Sequence, residues 1–68
     1  MNGWEKIYAT GESVRAYIIK GLLEEKQLNP VLINKKDSAY QIGNYEIYVL
    51  QENVLKAIKT IADETGFE

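Results

Sequence analysis

The stretch NYEIYVL, residues 44–50, decides how the rest of this chain must fold. It is the longest and most apolar of the strand-like segments, because Tyr, Ile and Val favour pleated structure and Glu46 is its only charge. A strand with so little charge suits the centre of a sheet, where neighbouring strands cover both of its edges. We therefore predict that residues 44–50 form the central strand of a small sheet.

Two further strands and two helices are predicted around it. WEKIYA, residues 4–9, and PVLIN, residues 30–34, have strand composition, and the leading proline of the second suits an edge position. Residues 12–27 and 51–65 show the apolar spacing of helices that lie on a sheet. In the first helix one apolar row holds Val14, Ile18 and Leu22, and a second row beside it holds Ile19 and Leu23.

The order of these elements predicts an α+β fold. A right-handed β-α-β crossover makes the first two strands parallel, and the third strand fills a gap left between them, antiparallel to both. This is the ferredoxin-like half-pattern, with sheet order 1-3-2 and both helices on one face. Residues 1–68 are expected to form one small domain of this kind.

The second face of such a sheet is predicted to be open. If Ile7 and Ala9 face the helices, the alternation of a strand points Trp4 and Tyr8 to the open side. The central strand would add Glu46, Tyr48 and Leu50 to the same side. An aromatic surface of this size on a short chain indicates binding to a partner protein or to a second copy. The predicted contact residues are Trp4, Tyr8 and Tyr48, together with Tyr40 from the loop of residues 35–43.

Two smaller features leave alternatives open. The loop of residues 35–43 begins Lys35, Lys36, Asp37, Ser38, which is either a solvated turn or a site for a small anionic ligand. It lacks the glycine-rich cradle of a phosphate-binding loop. Burial would raise the pKa of Glu46, whereas pairing with Lys6 or Arg15 would keep it ionised.

The composition excludes several classes of function. The chain has no Cys and no His, so neither disulfides nor the usual zinc sites are expected, and no metal or cofactor is predicted. Without these groups the commonest catalytic bases and nucleophiles are missing, and an enzyme is not predicted. The 8 basic and 10 acidic residues are interspersed, which argues against the basic stripe of a nucleic-acid binder. No apolar run reaches the length of a membrane span, and a cytoplasmic location is expected.

The segments RAYIIKGLLEE, VLINKKDSAY and YEIYV resemble a small bacterial family of proposed prokaryotic signal-transducing proteins. The family consists of PII-like, ferredoxin-type domains of unknown biochemical function, and the resemblance covers residues 4–62. It implies the β-α-β-β-α order, a bacterial cytoplasmic setting and a regulatory role, but no catalytic residues. Together with the open face, it predicts a small regulatory or protein-interaction module.

Overall fold

The computed structural model describes residues 3–36 and 43–67 of the chain. The elements in order are β1 (Trp4–Thr10), α1 (Ser13–Glu25), β2 (Val31–Lys36), β3 (Gly43–Leu50), one turn of 3₁₀ helix (Gln51–Asn53) and α2 (Val54–Glu64). The predicted β-α-β-β-α order is confirmed. The second predicted helix begins with the 3₁₀ turn, and its α-helical part starts at Val54.

The three strands form one antiparallel sheet in the order β1-β3-β2, as predicted. β3 lies in the centre and pairs with β1 on one side and with β2 on the other. Both helices pack on the same face of this sheet, because the buried side chains of each belong to one cluster with Ile47 and Val49 of β3. These two residues lie two apart and therefore point to the same side.

α1 ends at Glu25, two residues before the predicted boundary. The turn that ends it contains no glycine, so no residue type in the sequence signals it. Gln27 takes a left-handed conformation with φ of 60°, although it is not a glycine. The Gln27 N–H donates to the Glu24 carbonyl, and the Leu28 N–H donates to the Leu23 carbonyl at 3.0 Å. This pair of bonds is the Schellman arrangement, which satisfies the last carbonyls of the helix. It also brings Leu28 into the core beside Leu23.

The side of α1 that enters the core is the second of its two apolar rows. Ile19 and Leu23 are fully buried together with Ala16, whereas Val14 and Ile18 of the first row are exposed. The prediction did not separate the two rows, because both follow a four-residue spacing. Ile19 and Leu23 face the sheet. Ala16, which has a small side chain, lies on the same side of the helix.

A bulge in β1 changes which of its side chains face the helices. Lys6 pairs with Tyr48 and Tyr8 pairs with Ile47, so Ile7 is an extra residue in the ladder. A bulge of this kind shifts the alternation by one residue. Tyr8 therefore packs against the helix-side core together with Ile7, and Ala9 is exposed. The predicted orientations of Tyr8 and Ala9 are wrong for this reason.

Among the described residues, no helix is long and apolar enough to cross a membrane.

A candidate docking face around Glu46

The face of the sheet that points away from the helices is a continuous surface contributed by all three strands. It is called the open sheet face below. Trp4 pairs with Leu50, Lys6 and Val31 both pair with Tyr48, and Ile33 pairs with Glu46, so these side chains share one side. The open sheet face consists of Trp4, Lys6, Ala9, Val31, Ile33, Lys35, Asn44, Glu46, Tyr48 and Leu50. No helix or strand from the described ranges 3–36 and 43–67 covers it.

A buried carboxylate lies at the centre of this face. The side chain of Glu46 is only 6% exposed, although no secondary-structure element in the described ranges lies over it. The Tyr48 hydroxyl donates to Glu46 Oε1 at 2.9 Å. Lys6 Nζ donates to Oε2 at 3.3 Å, and Lys35 Nζ lies 3.3 Å from Oε1. Each carboxylate oxygen thus has a charged or polar partner, and the group is satisfied where it is buried.

The register of the sheet explains why two lysines reach one carboxylate. Lys6 is opposite Tyr48, and Lys35 is opposite Asn44, so each lysine is a diagonal neighbour of Glu46. Diagonal neighbours in a sheet lie about 7–8 Å apart, a distance that a lysine side chain spans easily. The lysines approach from opposite edges of the sheet, and their aliphatic stems cover the carboxylate. The resulting group of Lys6, Glu46, Tyr48 and Lys35 is called the Glu46 cluster.

The environment of Glu46 favours its ionised form. The hydrogen bond from the Tyr48 hydroxyl lowers the pKa of Glu46 most, and burial acts in the opposite direction. The ammonium groups of Lys6 and Lys35 add to the lowering, so the pKa of Glu46 lies below its usual value of 4.5. Of the two alternatives considered from the sequence, pairing outweighs burial. Of the two predicted partners, Lys6 pairs with Glu46, whereas Arg15 pairs with Glu12 instead. The contribution of Lys35 was not predicted.

The Glu46 cluster carries a net positive charge on the open sheet face. Two ammonium groups face one carboxylate, and both lysines remain accessible, with side chains 49% and 59% exposed. An ammonium group has three N–H donors, and each lysine directs one of them at the Glu46 carboxylate. Because both lysine side chains are about half exposed, their remaining donors are accessible from solvent. This arrangement can receive an anionic group while the surrounding aromatic and aliphatic side chains contact apolar surface.

The predicted contact residues divide into three groups. Trp4 and Tyr48 lie on the open sheet face, where both are partly buried. Tyr8 lies on the other side of the sheet and packs against the core, so it is not part of this face. Tyr40 lies outside the described residues.

The predicted ligand loop is only partly within the described structure. The prediction that the loop begins at Lys35 is wrong, because Lys35 and Lys36 pair with Asn44 and Gly43 and so extend β2, and the Lys35 ammonium is directed to Glu46. Lys36 is the final residue of β2. Asp37 and Ser38 lie outside the described residues. Among the residues that are described, no group of three His, Cys, Asp or Glu side chains is arranged to hold a metal ion.

Comparison of the sequence with protein-family models finds no match, and comparisons with curated proteins and with solved structures find none either. The family resemblance given above therefore stays a prediction, and the function must be argued from the site.

Proposed function

We propose that this chain is a small protein-interaction module that docks a partner protein on its open sheet face. The main support for this proposal is the composition of that face, in which partly exposed Trp4, Tyr48 and Leu50 lie around two accessible lysines. Aromatic side chains are enriched at interface centres, and accessible charges beside them can select a partner of opposite charge. The family resemblance adds a regulatory role in the bacterial cytoplasm to this proposal.

The charge of the face favours a different protein over a second copy. If two open sheet faces met around a twofold axis, two clusters with net positive charge would lie close to each other. Like charges placed opposite one another in an interface cost several kcal/mol. An acidic side chain from a different protein would instead meet Lys6 and Lys35 with favourable charge. The partner that we propose therefore presents an acidic residue among apolar ones.

The edges of the sheet are less suitable for docking than its face. The β1 edge contains the bulge at Ile7 and the charged residues Glu5 and Lys6. The β2 edge begins after Pro30 and ends in two lysines. Bulges, prolines and edge lysines are devices that discourage the addition of another strand. Contact through side chains on the face avoids all of them.

The dimensions of the face indicate the kind of partner segment. The strands contain 7, 6 and 8 residues. With about 3.3 Å per residue and about 4.8 Å between strands, the face measures roughly 25 by 15 Å. This is less than the roughly 800 Å² per partner that a standard interface buries. We therefore expect a single helix or extended segment as the bound element, held by a weak and reversible contact.

A selection from a random peptide library tests this proposal without knowledge of the natural partner. Peptides enriched on the wild-type protein should contain Asp or Glu next to aromatic or aliphatic residues. Changing Leu50 to Ala should weaken their binding about tenfold, which corresponds to about 1.4 kcal/mol. The double change Lys6→Ala and Lys35→Ala should weaken acidic peptides most. The measurement is the dissociation constant by fluorescence anisotropy.

Leu55→Ala serves as the matched control, because Leu55 is 84% exposed on α2 and lies on the other side of the molecule. Its peptide affinities should equal those of the wild type. Tyr8→Ala is not suitable as a test of the face, because Tyr8 packs against the core. Enriched peptides that bind the Leu50 and lysine variants as tightly as the wild type would refute docking on this face.

A further inference from the structure

α1 is apolar on two opposite sides, and only one of them is used within the chain. Ala16, Ile19 and Leu23 are fully buried against the sheet. Helical residues follow one another at about 100° around the axis, so the side opposite these three holds residues 14, 17, 18 and 21, with Glu25 at its C-terminal end. These residues, Val14, Tyr17, Ile18 and Gly21, are called the outer α1 stripe. Its three side chains are 69%, 59% and 48% exposed.

α2 differs from α1 in this respect. It also exposes two large apolar side chains, Leu55 and Ile58, but Lys56, Lys59 and Asp63 lie beside them, and Lys59 pairs with Asp63 at 3.1 Å. A helix on the surface of a domain normally presents such polar residues opposite its buried stripe. A helix that is apolar on both sides is expected to be covered on both sides. The outer α1 stripe therefore indicates a missing neighbour.

Gly21 leaves a notch in the middle of this surface. A glycine inside a helix costs about 1 kcal/mol relative to alanine. Packing within the chain does not require it, because a Cβ placed at Gly21 would meet no atom within 4 Å. The notch opens into a shallow groove that is lined by Tyr17, Ile18, Leu22 and Glu25 of α1 and by Glu64 and Thr65 at the end of α2. Another helix could approach closely at this point.

We propose that a second copy of this chain fills the groove by docking its own α1 in the antiparallel direction. In this pairing Ile18 of each copy enters the notch at Gly21 of the other. The contact is self-complementary, as a twofold interface requires, because one alignment satisfies both copies at once. Tyr17 is already held in place by the edge of the Tyr45 ring, with ring centres 6.3 Å apart.

Charge complementarity supports the antiparallel direction. Arg15 lies near the start of α1, and Glu25 is its last residue. Placing position 18 opposite position 21 puts Arg15 of one copy within one residue of the level of Glu25 in the other. A parallel pairing would place Arg15 against Arg15 and Glu25 against Glu25, which is unfavourable. Arg15 Nε lies 3.6 Å from Glu12 Oε2 and its guanidinium lies over the Phe67 ring, so pairing with Glu25 of the second copy requires the 43% exposed side chain to leave Glu12.

The size of the contact sets the expected strength. α1 has 13 residues and is therefore about 20 Å long, with a contact strip about 10 Å wide. This is well below the area of a standard interface, so a weak dimer is expected, with a dissociation constant of about 10 µM to about 1 mM. The pairing leaves the open sheet face of both copies free. It is thus independent of the proposed partner docking.

Sedimentation velocity of the full chain from about 10 µM to about 2 mM tests the proposal over this range. The wild type should shift from monomer to dimer with concentration. Ile18→Glu should remain monomeric throughout, because it places a charge in the notch next to Glu25. Leu55→Glu, an equally large change on exposed α2, should dimerise like the wild type. Circular dichroism and thermal unfolding of each variant check that it is folded.

Charge reversal decides the direction of the helices. Arg15→Glu and Glu25→Arg should each raise the dissociation constant at least about fivefold, and the double variant should return it to near the wild-type value. Rescue of this kind arises only when positions 15 and 25 meet across the interface. A wild-type protein that stays monomeric at about 2 mM, a dimer insensitive to Ile18→Glu, or charge variants without rescue would each overturn the proposal.

Discussion

The open sheet face and the outer α1 stripe are both free of cover within the described chain, yet they are built differently. On the sheet, the apolar side chains are partly buried among their neighbours, and Glu46 with its two lysines lies at the centre. On α1, Val14, Tyr17 and Ile18 stand about half or more exposed, and the centre is a glycine. The open sheet face presents charged and aromatic groups, whereas the outer α1 stripe presents projecting apolar side chains around the notch at Gly21.

This difference is the reason for proposing two kinds of partner. A surface organised by net positive charge selects a partner of opposite charge and rejects its own copy. A surface whose projecting and recessed residues lie three positions apart on one helix can fit its own copy when that copy is turned round. A small chain could thus use the sheet for recognition and the helix for self-association. The following changes test whether the two surfaces are as distinct as they look.

The largest expected effect is a difference in the free energy of unfolding between substitutions on the two sides of α1. Ile18 and Ile19 are neighbours in sequence, but Ile18 is 48% exposed and Ile19 is fully buried. Ile19→Ala should lower the free energy of unfolding by about 2–5 kcal/mol, because it removes core contacts and leaves a cavity. Ile18→Ala should change it by no more than about 0.5 kcal/mol in dilute solution. Urea unfolding at low protein concentration measures both values.

The same chemical change at adjacent positions makes this pair its own control, since helix propensity and side-chain volume change equally. Equal losses at the two positions would mean that the helix is rotated and that the outer α1 stripe is part of the core. A larger loss for Ile18→Ala that develops only at high protein concentration would instead agree with dimerisation through the stripe.

The second effect concerns pH and belongs to the open sheet face. Because the pKa of Glu46 in the folded chain is below its usual value of 4.5, the unfolded chain takes up the proton first as pH falls. The contribution of Glu46 to stability is fully present above pH 4.5 and is lost as pH decreases through the lowered folded pKa. Thermal unfolding across this range should show wild-type stability falling more steeply than that of Glu46→Gln.

Tyr48→Phe sharpens the same experiment, because the Tyr48 hydroxyl makes the largest contribution to lowering this pKa. The carboxyl carbon resonance of Glu46, followed by NMR, should titrate at higher pH in this variant than in the wild type. An unchanged titration would show that the lysines alone keep Glu46 ionised. Parallel stability curves for the wild type and Glu46→Gln would contradict the pH prediction.

The fold could be predicted from the sequence because its pattern is strong. A nearly uncharged seven-residue strand fixes the centre of the sheet, and Pro30 marks the start of an edge strand. The errors come from features without a periodic signature. The bulge at Ile7 inserts one residue into a strand whose composition looks regular, and it turns Tyr8 toward the core. The end of α1 depends on the left-handed conformation of Gln27, which could not be predicted because this conformation is typical of glycine.

The site could be predicted only in part for a related reason. Alternation placed Glu46, Tyr48 and Leu50 on one side of β3 correctly, since alternation needs only the strand itself. The meeting of Lys6 and Lys35 at Glu46 depends on the register of both neighbouring strands, which involves residues far apart in sequence. The outer α1 stripe was visible as an apolar row, but its spacing is the same as that of the buried row. Only the packed sheet distinguishes them.

The smallest expected effect concerns Gly21, where stability and association should move in opposite directions. Gly21→Ala should raise the free energy of unfolding by about 0.5–1 kcal/mol at low protein concentration, because alanine is the better helix former and its Cβ meets no neighbouring atom. The same methyl group narrows the notch that receives Ile18 of the second copy, so dimerisation should weaken. Urea unfolding and sedimentation velocity on one preparation measure the two quantities. A variant that is more stable and still dimerises as the wild type does would leave the glycine without a role in association, whereas a less stable monomer would mean that the notch is occupied within the chain itself.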